Sequence, residues 1–136
     1  MKFILLKPTR ADIQAQFALI KRSFNGVKNC KAEFDITKEL VLSKQASMYQ
    51  VIGKGVSVRF IGFVTDDNDY LILALTGKGL VNVAPYIIDA VKSQGYRAIK
   101  YHTVRTGMTA ILRSFGFVQT EATEHDTVMS LYLEGS

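Results

Sequence analysis

Tyr70-Leu71-Ile72-Leu73-Ala74-Leu75 is an unbroken apolar run. A half-exposed strand alternates apolar and polar residues, so this segment reads as a strand covered on both faces and placed near the middle of a sheet. Helices must then lie on both sides of that sheet. Directly after it comes Thr76-Gly77-Lys78-Gly79, read as a turn, and then Leu80, Val83, Ala84, Ile87, Ile88 and Val91 at helical spacing until the stop signal Gly95. Pro85 falls in the first turn or two of that helix, where a missing N–H does least harm. Arg97 to Val104 reads as a second buried strand, parallel to the first because a helix joins them.

The rest of the chain is arranged around this βαβ unit. Phe3 to Leu6 reads as a strand closed by Lys7-Pro8-Thr9, and Arg10 to Phe24 as a helix with Ile13, Phe17, Ile20 and Phe24 on one side. Between Val27 and Ser47, Ile36, Leu40 and Val41 suggest a short helix capped by Asp35 or Thr37. Strands over Met48 to Ile52 and Val56 to Thr65 flank Gly53-Lys54-Gly55 as a hairpin, with Asp66 to Asp69 as the next turn. Met108 to Phe115 fits another helix ended by Gly116. Phe117 to Thr120 and Val128 to Leu133 close the chain as two strands. The expected class is α+β in α/β/α layers, with a mixed central sheet of about six to seven strands in a single domain over the 136 residues.

A share of 48% apolar and 21% charged residues suits a folded protein rather than a disordered one. The first apolar run is too short for a signal peptide or a membrane span, and a single cysteine, Cys30, requires no oxidising compartment. The cytoplasm is the expected location. A net charge of +5 favours an anionic partner. Lys21, Arg22, Lys28 and Lys31 read as a solvated helix end, so nucleic acid ranks last among partners. His125 with Glu121, Glu124 and Asp126 reads as a hairpin tip without paired metal-ligand spacing, and no metal is expected. Phe60, Phe63, Phe115, Phe117 and Tyr132 fit core packing rather than a base-stacking platform.

A glycine-rich turn that opens a helix presents free backbone N–H groups where the helix dipole is positive, which suits phosphate. Lys78 adds a positive charge there. A P-loop would need Gly at Ile72 and Ser or Thr at Gly79, and a dinucleotide fingerprint would need Gly at Asn82. Neither is met.

The order of elements, the Gly-x-Gly turn Gly77-Lys78-Gly79 after the fourth strand, and the late pair Gly116-Phe117 resemble the GNAT family of acyl-CoA N-acyltransferases over most of the chain. In that family, Gln or Arg, two residues, Gly, one residue and Gly or Ala bind the acyl-CoA pyrophosphate through backbone amides. The matching stretch is Ala74-Leu75-Thr76-Gly77-Lys78-Gly79, with Ala74 at the leading position. The resemblance implies that Leu73, Ala74 and Leu75 hydrogen-bond the pantetheine arm and that Gly77, Lys78, Gly79, Leu80 and Val81 hold the pyrophosphate of acetyl-CoA or another acyl-CoA, with Thr76 also in the cofactor-binding stretch. Arg105 would contact a phosphate. The family's usual Tyr acid, four residues before the Gly of the Gly-Phe pair, falls on Leu112 here.

A base near the splayed ends of the parallel strands would take the proton of the acceptor amine, and His102 is the histidine placed for it, with Tyr101 beside it. A histidine in an apolar strand also fits a hydrogen-bonded core residue, and Tyr101 and Thr103 share that alternative. Two functions follow. One is N-acyl transfer from acyl-CoA to an amine of a small molecule or protein, by direct attack on the thioester. The other is a scaffold without catalysis, a structural or binding protein similar to small tailed-phage internal virion proteins with a Gly-Lys turn. Acceptor choice would come from Phe24 to Leu42 and Thr120 to Thr127. The edge of the last strands offers a surface for a homodimer.

Overall fold

The computed structural model describes residues 1–103, 106–124 and 126–133. Seven strands form one sheet in the order β1-β2-β3-β4-β5-β7-β6. The strands are β1 (Lys2–Leu5), β2 (Ala46–Gly53), β3 (Val56–Val64), β4 (Asp69–Lys78), β5 (Ala98–Thr103), β6 (Val118–Ala122) and β7 (Thr127–Tyr132). The helices are α1 (Ile13–Ile20), α2 (Cys30–Leu42), α3 (Leu80–Ser93) and α4 (Thr106–Ser114), with a 3-10 turn at Lys21–Phe24. Only β4 and β5 run parallel; the other neighbours are antiparallel. The layered, mixed sheet expected from the apolar run is present.

Two cores lie on its faces. Phe17 and Ile20 of α1 and Phe34 and Val41 of α2 pack with Met48, Ile61 and Ala74 on one side. Val83, Ile87 and Val91 of α3 and Leu112 of α4 pack with Val58, Phe60, Ile72 and Ile99 on the other. The continuous apolar character of β4 follows, since its alternate residues serve both cores.

Among the boundaries that differ from the sequence reading, three have a visible local cause. The first helix does not run to Phe24: after Ile20 the backbone tightens into the 3-10 turn, which keeps Phe24 buried against Phe34, with ring centroids 5.4 Å apart. The second helix starts at Cys30 rather than after Asp35 or Thr37, because Asn29 takes a left-handed conformation (φ 57°) that launches it earlier. Its first turn is wholly exposed and so carries no apolar signal, and it is Thr37 rather than Ile36 that faces inward. The β2–β3 hairpin turns on Lys54-Gly55 alone, with Gly53 paired to Val56.

Candidate active site

Strand β4 pairs with β5 only from Asp69–Ala98 to Ile72–Tyr101. β5 continues to Thr103 along β7, and β4 continues to Lys78 along β3, so the two parallel strands part beyond Ile72 and Tyr101. The pairing of β3 with β4 shifts between Ile61 and Gly62: Ile61 lies opposite Ala74 and Gly62 opposite Ile72, so Leu73 is an extra, bulged residue. A bulge bends its strand and sharpens its twist, and here it sits where the neighbour is lost. The edge of β4 that faces away from β3 is thereby opened. One amide on it is occupied: the Leu75 N–H donates to Ser23 Oγ at 2.9 Å.

The glycine segment is not the turn the sequence suggested. Thr76, Gly77 and Lys78 belong to β4, opposite Arg59, Val58 and Ser57, and only Gly79 separates strand from helix. Both glycines answer to the chain itself. Gly77 (φ 137°) has no room for a Cβ, which would run into the backbone of Ser57 and Val58. Gly79 (φ 86°) faces the Gly55 carbonyl, which a Cβ would approach to 2.6 Å. Their presence is therefore explained by the β2–β3 hairpin before any ligand is considered. What the segment offers a ligand is the start of α3. The Gly79 carbonyl accepts from Asn82 and Val83, both at 3.1 Å, which leaves the Leu80 and Val81 amides as the helix's open donors. Val81 and Lys78 are exposed beside them.

Between α3 and α4 the packing is tight. The cavity bounded by Leu80, Ala84, Ile111, Leu112 and Phe115 holds about 30 Å³, the room of a single water. Leu112 is buried in this layer as a core residue. Arg105 lies outside the described residues, as does His125.

His102 is not a core residue. Its side chain is 51% exposed, on the face carrying α2, and it borders an open cleft of about 400 Å³. Its Nδ1 stands 3.5 Å from Asp126 Oδ2, and Asp126 Oδ1 accepts from Thr123 Oγ1 at 2.7 Å. The His102–Asp126 contact is long for a hydrogen bond and places the carboxylate on the Nδ1 side of the ring. Tyr101 is 7% exposed and packs in the α3 core, yet it also lines the cleft that His102 borders, so the two candidate residues meet at one space. Ser23 lines the cleft from the 3-10 turn, Lys28 from the loop after it, Glu33 and Thr37 from α2, and Leu71 and Leu73 from β4. Asp126 was legible only as a turn residue, and Ser23 carried no signal; the contact of each is long-range. Among the described residues no cluster of three or more metal-ligating side chains exists.

No protein-family model matches this sequence, and no curated protein matches it. Solved structures do. An aminoglycoside 6'-acetyltransferase type Ii superposes with a TM-score of 0.70 at 10% identity, covering 100% of this chain and 99% of its own. An acetyltransferase of Bacillus subtilis in complex with CoA gives 0.70 at 14%, covering 97% and 98%. The PaiA N-acetyltransferase of Thermoplasma acidophilum, also in complex with coenzyme A, gives 0.68 at 11%, covering 97% and 99%. At such identities the likeness is one of fold, over the whole described chain.

Proposed function

Because this chain has the GNAT fold, we propose that it is an acyl-CoA-dependent N-acyltransferase acting on an amine. The observation that carries the proposal is the parting of β4 and β5 beyond Ile72 and Tyr101, which opens a backbone edge and a cleft at one place. The open amides of Leu80 and Val81, with Lys78, suit the pyrophosphate, and the edge from Leu73 to Leu75 suits the pantetheine arm. Acyl-CoA would supply an activated acyl thioester. The chain's part is to align the amine, to take its proton on His102 Nε2, and to donate a backbone N–H of β4 to the developing oxyanion. Asp126 orients His102. With Leu112 at the position of the family's acid, the thiolate would leave without a tyrosine donor.

Such binding requires movement. Ser23 must release the Leu75 amide, and the layer between α3 and α4 must loosen from its closed state. These two features also favour the second reading, a GNAT-fold binding or structural protein without catalysis, such as a virion or host-interaction component. Calorimetric titration with acetyl-CoA separates them. Binding with a dissociation constant on the order of micromolar is expected. Val81→Glu should weaken it by about tenfold through charge repulsion while leaving the fold intact, since a carboxylate favours a helix N-terminus. A folded protein that takes up no acetyl-CoA at millimolar concentration would rule the transferase out in favour of the scaffold.

A further inference from the structure

On the α3 face, away from the opened edge of β4, lies a second cavity of about 270 Å³. It is bounded by the start of β4 at Tyr70, by Tyr49 of β2 and Phe60 of β3, and by Ala90 and Gln94 near the end of α3. Its walls are two aromatic pairs. Tyr49 and Phe60 stack at 5.4 Å with planes 24° apart, and Tyr70 and Tyr96 lie at 5.4 Å and 37°. Gln45, Ser47 and Gln94 supply neutral polar groups, and no charged side chain lines it among the described residues.

Tyr70 gives this space a direction. The residue is 8% exposed, and its hydroxyl, which makes no hydrogen bond to any described residue, keeps access to solvent through the cavity. That hydroxyl lies over Gly62, whose missing side chain provides its room: a Cβ there would overlap the phenol. Gly62 is not among the positive-φ glycines, so its role is space rather than backbone freedom. Burial, with Tyr49 and Tyr96 nearby, pushes the Tyr70 phenol far above its ordinary range, so it remains a proton donor at any physiological pH. In the open cavity water can accept from this hydroxyl, and a ligand that displaces that water must itself accept from it or leave the donor unpaired.

We propose that this cavity is a binding site for an uncharged, planar, fused two-ring ligand carrying a carbonyl oxygen, which accepts from the Tyr70 hydroxyl between the two aromatic pairs. The size fits: about 150 Å³ takes one benzene ring, and this cavity is nearly twice that. The absence of charged lining excludes anions and cations, because a buried unpaired charge costs far more than stacking returns. The aromatic walls favour flat rings over aliphatic ones. The site is independent of the proposed acyl transfer and stands or falls without it.

The test uses matched probes: 1-indanone, indane of the same shape without the carbonyl, and the charged benzoate and benzylamine. Amide chemical shifts of the full chain are followed as each is added. Saturable shifts at Gly62 and Ala90 with 1-indanone are expected. Indane should bind about three- to tenfold more weakly, the share of one neutral hydrogen bond, and the charged probes not at all. Tyr70→Phe should erase the advantage of indanone over indane while leaving the ring packing in place, and Ala90→Phe should block both probes by filling the space. No saturable shift with either neutral probe in the folded wild type overturns the proposal. So does an indanone advantage that survives Tyr70→Phe, or equal binding of the charged probes.

Discussion

The two halves of β4 are held in opposite ways. From Asp69 to Ile72 the strand has β3 on one side and β5 on the other, and an ion pair clamps it: Asp69, 1% exposed, accepts from Arg97 Nε and Nη2 at 2.8 and 2.7 Å, with Lys100 Nζ at 3.3 Å. From Leu73 to Lys78 it has β3 alone, a bulge at its start, and one hydroxyl from a distant turn on its free side. The first half is fixed by side-chain charge and sheet pairing. The second is fixed by how closely its glycines let β3 approach. One end is thus held by charge and pairing on both edges, the other by close packing on one edge that leaves the far edge open.

The largest effect should come from the second half. Gly77→Ala puts a methyl group against the Ser57 carbonyl at a backbone angle that alanine avoids, and β3 cannot retreat without losing its pairing. Destabilisation of about 3 kcal/mol or more is expected in urea unfolding. Gly95→Ala is the control. It has a positive φ of 84° but nothing within 4 Å, so only conformational strain of about 1 kcal/mol should appear. Equal losses at the two positions would remove close approach as the explanation.

In the clamped half, Asp69→Asn should cost about 2 kcal/mol, less than a fully buried pair because Arg97 remains half exposed. The hydrogen bonds from Arg97 hold the Asp69 carboxylate below its ordinary range, against a desolvation that pushes it up. A carboxylate lowered on folding stabilises above its unfolded value near pH 4 and loses that contribution as pH falls through the folded one. Wild-type stability should therefore decline in acid more steeply than that of Asp69→Asn. Parallel acid limbs in the two proteins would show that the clamp carries no proton linkage.

Part of this strand was legible in the sequence. The apolar run Tyr70 to Leu75, which crosses from one half into the other, reads as a strand with both faces covered, and the α3 pattern after it fixes the parallel neighbour. The glycines at 77 and 79 were also visible, but not their reason. Glycine before a helix reads equally as a phosphate turn or as close packing, and only the position of the β2–β3 hairpin decides. His102 could be picked out by residue type, whereas Asp126 and Ser23 become relevant through contacts that join residues far apart in the chain. The 3-10 turn that carries Ser23 arises where α1 must end to keep Phe24 buried, which no helical periodicity encodes.

The expected change in stability at Ser23 is as small as that of the Gly95 control, and it discriminates most between the readings. Ser23→Ala leaves the Leu75 amide without its 2.9 Å acceptor, a loss of about 1 kcal/mol in the free protein. If the edge of β4 receives a pantetheine arm, the same change removes the group that competes for it. Acetyl-CoA affinity should then rise by about fivefold, close to what was lost in stability. Were Ser23 only a structural tie, loosening the edge would leave acetyl-CoA uptake unchanged or reduce it. Unfolding and calorimetry on the one variant decide between these, because the transferase reading requires the two effects to have opposite signs.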